Sequence, residues 1–231
     1  MVWGLHLDGN QRGRLLEFVR LLSTYDRANV IGTKDPDQIL LAHVLDSLSC
    51  FLYRPLIRAQ RFADIGSGGG LPGIPIKIMK PDLTTTLVES TGKKARFLQY
   101  VVDALSLEGT VIANTRVEDL ARTKAHRGVY DVVTSRALAR LPVVAEYCVP
   151  LLKAGGIAIS MKSRLEPDEL SEGSRAAEVL GARVAEIIPV PMLREIGEKE
   201  RNLVIIEKIR ETPAQYPRRS GLVAKKPLGL G

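Results

Sequence analysis

Apolar positions near the start of the chain recur three and four residues apart: Leu15, Phe18, Val19 and Leu22. That spacing predicts an amphipathic helix, with Asn10 as its N-cap. Ile39, Leu40, Val44, Leu45 and Leu48 form a second stripe. They predict one helix over 37–53, with Pro36 at its start, where proline is tolerated. From residue 61 the period changes. Short β-branched and apolar runs at 61–65, 84–88, 110–113, 130–134 and 157–161 read as strands. They alternate with helical patterns over 72–80, 91–106, 117–125, 141–152 and 166–181. Strands alternating with helices predict an α/β domain with a mostly parallel sheet. Two further strand runs, 184–190 and 202–209, have no helical pattern between them and predict an antiparallel hairpin closing that sheet. From residue 212 onward, Pro213, Pro217, Pro227 and three glycines predict a segment without regular structure. The organisation expected is a helical extension over 1–58, an α/β domain over 59–210 and an extended basic tail over 211–231.

Composition narrows the class. Hydrophobic residues make up 45% of the 231 and charged residues 26%, ordinary for a folded globular protein. No apolar run approaches the roughly 18–20 residues that span a bilayer, and the N-terminus has no signal-peptide pattern. Cys50 and Cys148 lie far apart in apolar contexts and read as free buried thiols of a reducing cytosol. A cytoplasmic monomer is the expectation. Aromatic residues are 5%, which argues against base stacking on an aromatic sheet. The net charge of +7 points mildly to an anionic partner. Its location sharpens the hint: residues 208–231 hold six bases and one acid, whereas 61–207 carry a net of only +1.

The densest chemical signal is Asp64-Ile65-Gly66-Ser67-Gly68-Gly69-Gly70-Leu71-Pro72-Gly73, which follows a strand and opens a helix. Five glycines in eight residues exceed what a tight strand-to-helix turn needs, and they let a ligand approach the backbone closely. A P-loop is disfavoured, because Gly73 is followed by Ile74-Pro75 rather than Lys-Ser/Thr. A dinucleotide fingerprint fits Gly68, Gly70 and Gly73 awkwardly, since Pro72 and Pro75 then remove N–H groups where a pyrophosphate would bind. S-adenosylmethionine, which carries no phosphate, fits better. Asp64 is placed to meet its cationic methionyl part. Glu89, closing the next strand, is placed to accept from both ribose hydroxyls, although nicotinamide dinucleotide sites use the same device.

These residues belong to an ordered series. It runs through His43-Val44-Leu45-Asp46-Ser47-Leu48, the glycine loop to Pro75, Leu87-Val88-Glu89-Ser90 with Lys93-Lys94, and Arg116-Val117-Glu118. It continues with Thr134-Ser135-Arg136-Ala137, Met161-Lys162 and Tyr216-Pro217-Arg218-Arg219. Over nearly its whole length the chain resembles the ribosomal RNA small subunit methyltransferase G family, also called glucose-inhibited division protein B. The resemblance implies a class I methyltransferase fold, Rossmann-like with a seven-stranded sheet and an N-terminal helical extension. It implies methyl transfer from S-adenosylmethionine to N7 of a guanosine in the 530 loop of 16S ribosomal RNA. It places cofactor contacts on Gly66, Leu71, Glu89, Ser90, Thr91, Val117, Glu118 and Arg136; Asp64, Gly68 and Gly70 join them from the loop reading. Family members commonly carry Asn-Leu-Thr where this chain has Asn29-Val30-Ile31, and Lys-Gly where it has Lys162-Ser163. Neither change falls in the glycine loop.

Guanine N7 carries an in-plane lone pair, so no proton must leave and no general base is required. The three scattered histidines (His6, His43, His126) argue against a metal cluster. Catalysis then rests on alignment. Arg136 is the candidate catalytic residue, directed at guanine O6 or a phosphate, because donation to N7 would oppose attack. A structural pairing with Glu118 or Asp131 is its competing role. His43 and Asp46, three apart on one helix, are a candidate local polar pair. Lys162, Arg201, Arg218, Arg219, Lys225 and Lys226 are the candidate RNA-binding residues.

Overall fold

The computed structural model describes residues 3–191 and 200–230. The predicted strand runs form β1 (Arg61–Ile65), β2 (Thr84–Val88), β3 (Thr110–Ala113), β4 (Tyr130–Arg136), β5 (Leu152–Lys162), β6 (Ala182–Pro189) and β7 (Asn202–Lys208). They pair in one sheet of order β3-β2-β1-β4-β5-β7-β6. The pairs from β3 through β5 are parallel, whereas β7 runs antiparallel to both β5 and β6. The chain builds outward from β1 to β3 and then restarts on the other side of β1 with β4. The crevice beyond the carboxyl ends of β1 and β4 is therefore the switch point at which open α/β sheets bind ligands.

Alternation along the strands feeds two cores. Phe62, Leu87, Val132, Ile159 and Ile205 face one side, and Ala63, Val88, Val133, Ala158 and Ile206 the other. The first side is covered by α1 (Gly9–Thr24), α4 (Gly73–Met79) and α5 (Gly92–Ala104) through Phe18, Leu22, Ile76 and Phe97. The second is covered by α7 (Leu141–Cys148) and α8 (Pro167–Val179) through Leu141, Val144, Ala176 and Ala177. Phe18, Phe62 and Phe97 are fully buried, each contributing about 1.5–3 kcal/mol by leaving water.

Several local expectations are corrected. The N-cap of α1 is Asp8, not Asn10: Asp8 Oδ1 accepts from Gln11 N at 2.7 Å and Gln11 Oε1 accepts from Asp8 N, a reciprocal capping box. The helix expected over 37–53 runs uninterrupted from Pro36 to Leu52, but its hydrogen-bond pattern changes along the way, from α2 (Pro36–Ile39) to a π-helical turn (Leu40–Leu45), α3 (Asp46–Leu48) and a 3-10 turn (Ser49–Leu52). The π turn leaves carbonyls that other groups use: Ser47 Oγ donates to His43 O, and Arg136 donates to the carbonyls of Ala42 and His43. The helix expected over 117–125 shortens to α6 (Val117–Leu120), and α7 gives way to a 3-10 turn, Val149–Leu151, containing Pro150.

The tail departs most from expectation. It is bound to the body and contains a short helix, α9 (Leu222–Lys225). Arg127 donates to the carbonyls of Tyr216 and Thr212, and Arg122 to that of Pro217. Arg218, expected to track RNA phosphates, instead grips Glu146 of α7, with Nη2 2.6 Å from Oε2 and Nε 2.9 Å from Oε1. Glu146 is completely buried, so its charge requires this partner. Arg218→Ala is therefore expected to lower unfolding free energy by about 3 kcal/mol, because it strands a buried carboxylate. The double substitution Glu146→Leu with Arg218→Leu recovers most of that loss. Urea unfolding of the three variants checks both statements.

Candidate functional site

The site begins with Asp64 at the end of β1. Its side chain is fully buried, with Oδ1 accepting from Thr134 Oγ1 of β4 at 2.7 Å and Oδ2 from Gly73 N of α4 at 3.3 Å. Burial pushes its pKa up to about 6 against these hydrogen bonds. Asp64 thus lies beneath the glycine loop and holds its two ends together. This corrects its expected place against a cationic ligand.

Above it, the loop turns through left-handed conformations at Gly66, Gly68 and Gly70, with φ of 67°, 55° and 87°. Gly73 admits no side chain, since a Cβ there would stand 2.5 Å from Leu87 Cδ2 and 2.9 Å from Asp64 Oδ2. The start of α4 offers little to a phosphate. Pro72 and Pro75 have no N–H, Gly73 N is used by Asp64, and Ile74 N is used by Gly70 O.

Glu89, just past β2, faces the same space. Its Oε2 accepts from Gly68 N at 3.0 Å and its Oε1 from Thr91 N at 2.7 Å, so two backbone amides fix its carboxylate. Asn114 Nδ2 donates to its carbonyl. The space is a cavity of about 360 Å³ walled by Gly66, Gly68, Glu89, Ser90, Val117 and Glu118. That volume lies in the range of small-molecule sites, about 300–1,000 Å³. Glycines that leave backbone exposed at one wall, and a fixed carboxylate able to accept two hydroxyl hydrogen bonds at another, suit a nucleoside without phosphates. The residues present fit S-adenosylmethionine.

Of the expected cofactor residues, the six just named line the cavity. Asp64, Gly70, Leu71, Thr91 and Arg136 do not. Gly70 lies against Ile74, and Thr91 contributes through its amide to Glu89. The sequence reading missed Ala137, Leu138 and Ala139 after β4, Tyr147 of α7 and Ala224 of α9, all of which line the cavity. Ala137 carried a signal within Thr134-Ser135-Arg136-Ala137; Tyr147 and Ala224 carried none. Ala137 adopts φ of 50°, a conformation that costs a non-glycine residue about 1 kcal/mol or more, and it is shared with a second cavity.

This second cavity, about 200 Å³, is lined by Asp46, Arg136, Lys162, Ser163, Arg201 and Asn202 among others. Its cations are engaged. Arg136 Nη2 lies 3.2 Å from Asp46 Oδ2 and 2.9 Å from His43 Nδ1, besides its bonds to the π-turn carbonyls. The pairing is with Asp46, not with Glu118 or Asp131, and it joins the helical extension to the switch point. Asp46 also takes Arg201 Nε at 3.0 Å. Lys162 is held by Glu169 of α8 at 2.6 Å and by the carbonyl of Ala139. Arg219, Lys225 and Lys226 are exposed. His43 and Asp46 do not pair with each other as expected; Arg136 stands between them.

The sequence model described as rRNA small subunit methyltransferase G matches residues 11–204. The chain belongs to that family. Relatives with the name ribosomal RNA small subunit methyltransferase G support the assignment across the whole chain. That of Rubrobacter xylanophilus is 55% identical over 99% of this chain and 88% of its own length. That of Chloroflexus aggregans is 41% identical over 98% and 94%. Solved structures agree on the fold: StiE O-MT residues 961-1257 superposes with a TM-score of 0.55 at 14% identity, covering 79% of this chain and 76% of its own. The antibiotic-resistance methyltransferase Kmr gives 0.55 at 15% identity, covering 66% and 88%. The fold is that of the class I methyltransferases.

The Asn29-Val30-Ile31 segment, expected to leave the glycine loop untouched, meets it in space. A Cβ on Gly69 would stand 2.9 Å from the carbonyl oxygen of Val30, so the Asn29-Val30-Ile31 segment packs directly on the glycine loop. The thiols of Cys50 and Cys148 are buried, and burial pushes their pKa up, which suits inert core residues.

His43 is expected to stay neutral down to a pKa of about 4, because burial and the charges of Arg136 and Arg201 disfavour its protonation. The unfolded chain then binds the proton first, so this group removes stability as pH falls from about 6.5 toward 4. An NMR titration of the His43 ring checks the midpoint. A midpoint near 6.5 would contradict the arrangement.

Proposed function

We propose that this chain transfers a methyl group from S-adenosylmethionine to N7 of a guanosine in the 530 loop of 16S ribosomal RNA. The observation that carries the cofactor half is the pairing of a fixed carboxylate, Glu89, with a glycine loop whose helix start has no spare N–H. A dinucleotide would need those amides for its pyrophosphate. The names of the full-length relatives support the substrate half.

S-adenosylmethionine supplies an electrophilic methyl carbon on a sulfonium. The chain's own residues hold and orient. Glu89 accepts from the ribose hydroxyls, Gly66 and Gly68 let the ligand lie against backbone, and Val117 and Glu118 take the adenine edge. Leu138 packs over Gly66, within 2.6 Å of where a Cβ would stand. The target base enters through the cavity lined by Arg136, Ser163 and Asn202. Ala137 is common to both cavities, so methyl transfer takes place beside it. Guanine N7 attacks without a base, and the side chains need only align it. Arg136 acts as a positioning residue, because its guanidinium is committed to Asp46, His43 and the π-turn carbonyls. RNA phosphates meet the exposed Arg219, Lys225 and Lys226, while Lys162 and Arg201, held by Glu169 and Asp46, shape the wall of the base cavity. The enzyme works as a monomer in the cytoplasm.

Labelled S-adenosylmethionine, incubated with small ribosomal subunits from a strain lacking the enzyme, is expected to mark one guanosine of the 530 loop at N7. Absence of label in small-subunit RNA would overturn the proposal. Glu89→Gln is expected to weaken S-adenosylmethionine binding roughly 10- to 100-fold, from loss of a charged acceptor, with little change in RNA affinity. Calorimetry with the cofactor and a filter assay with RNA check the two halves.

A further inference from the structure

The tail of this chain returns to the cofactor cavity. Arg122 and Arg127 hold the carbonyls of residues 212–217, and Arg218 is locked on Glu146. Ser220 Oγ then donates to Asp119 of α6, and Gly221 N donates to Glu118 Oε1 at 3.2 Å. Gly221 has φ of 80°, a left-handed turn that redirects the chain. The turn sends Val223 fully into the interior and leaves Ala224 at the wall of the cavity that Tyr147, Gly66 and Glu89 also line. Glu118 is itself nearly buried and lines the same cavity.

One carboxylate therefore serves both the tail and the pocket. We propose that the strap formed by residues 218–225 is the outer wall of the S-adenosylmethionine pocket, with Ala224 as a residue that sets the room for the ligand. Strap docking and cofactor binding support each other through Glu118, whose Oε1 holds Gly221 while Oε2 is available to an adenine amino group. This rests on the cofactor reading given above. A side chain no larger than methyl at residue 224 keeps the cavity open, and the buried Val223 next to it keeps the wall in place. Because Ala224 is solvent-exposed, enlarging it need not disturb the core.

Ala224→Trp in the full chain tests the proposal. The variant is expected to bind S-adenosylhomocysteine about tenfold or more weakly in calorimetry, because the added ring takes ligand space. Its ligand-free melting temperature should match that of the unsubstituted chain. In turnover, KM for S-adenosylmethionine should rise while KM for the small ribosomal subunit stays within about twofold. Independently, S-adenosylhomocysteine should slow tryptic cleavage after Arg219 and Lys225 in the unsubstituted chain. Binding by Ala224→Trp within twofold of the unsubstituted chain would overturn the proposal, as would unchanged cleavage in the presence of ligand. Failure of the unsubstituted chain to bind S-adenosylhomocysteine would remove the cofactor reading and the proposal together, and so is distinguishable from a failure of the strap alone.

Discussion

A carboxylate buried without a partner is untenable, and Asp64 resolves this at the centre of the molecule. Its two oxygens take a hydroxyl from β4 and an amide from α4. The bond from Thr134 crosses the switch point and joins β1 to β4, while the bond from Gly73 ties the end of β1 to the start of α4. The glycine loop is suspended between them. Desolvation opposes the charge and raises the pKa to about 6, yet the hydrogen bonds act in the other direction. The ligand crevice takes its shape from this arrangement. With Asp64 holding Gly73, the amide at the start of α4 is no longer available to a phosphate.

The same rule recurs around the site. Glu89 is fixed by Gly68 N and Thr91 N, Asp46 by Arg136 and Arg201, Glu146 by Arg218, and Glu118 by Gly221 N. Each buried acid draws in a segment distant in sequence. Asp46 and Arg136 attach the helical extension to the end of β4, and Glu146 attaches the tail to α7. The molecule spends cations internally that a surface count would assign to RNA. Arg218 and Lys162 are the clearest cases, since both are held by buried or half-buried glutamates. The field left for RNA comes from exposed groups such as Arg219, Lys225 and Lys226, whose worth in phosphate binding is salt-dependent.

Much of this was legible beforehand. The strand runs stood out because β-branched stretches with apolar alternation need only local pattern to be recognised. The glycine loop stood out because left-handed turns demand glycine at Gly66, Gly68 and Gly70. Other features were hidden for a physical reason. The π turn at Leu40–Leu45 is stabilised by a guanidinium from residue 136, and no local periodicity reports that. The cap at Asp8 displaced the expected Asn10 because Gln11, three residues on, completes a reciprocal pair with Asp8. The tail reads as extended because prolines and glycines deny it a repeat, while its real anchors are long-range bonds made with Arg122, Arg127 and Glu146.

By itself, the sequence determined the α/β architecture, the place of the loop and the identity of Glu89 as the acid facing it, since these follow from residue type and short-range spacing. The tertiary structure decided which charges are spent in pairs and which remain for ligands. It turned Asp64 inward, committed Arg136 to the helical extension and brought Ala224 to the cavity from more than 130 residues beyond Glu89. Pairing of buried charge is a property of distance in space, and distance in space is set only when the whole chain is packed.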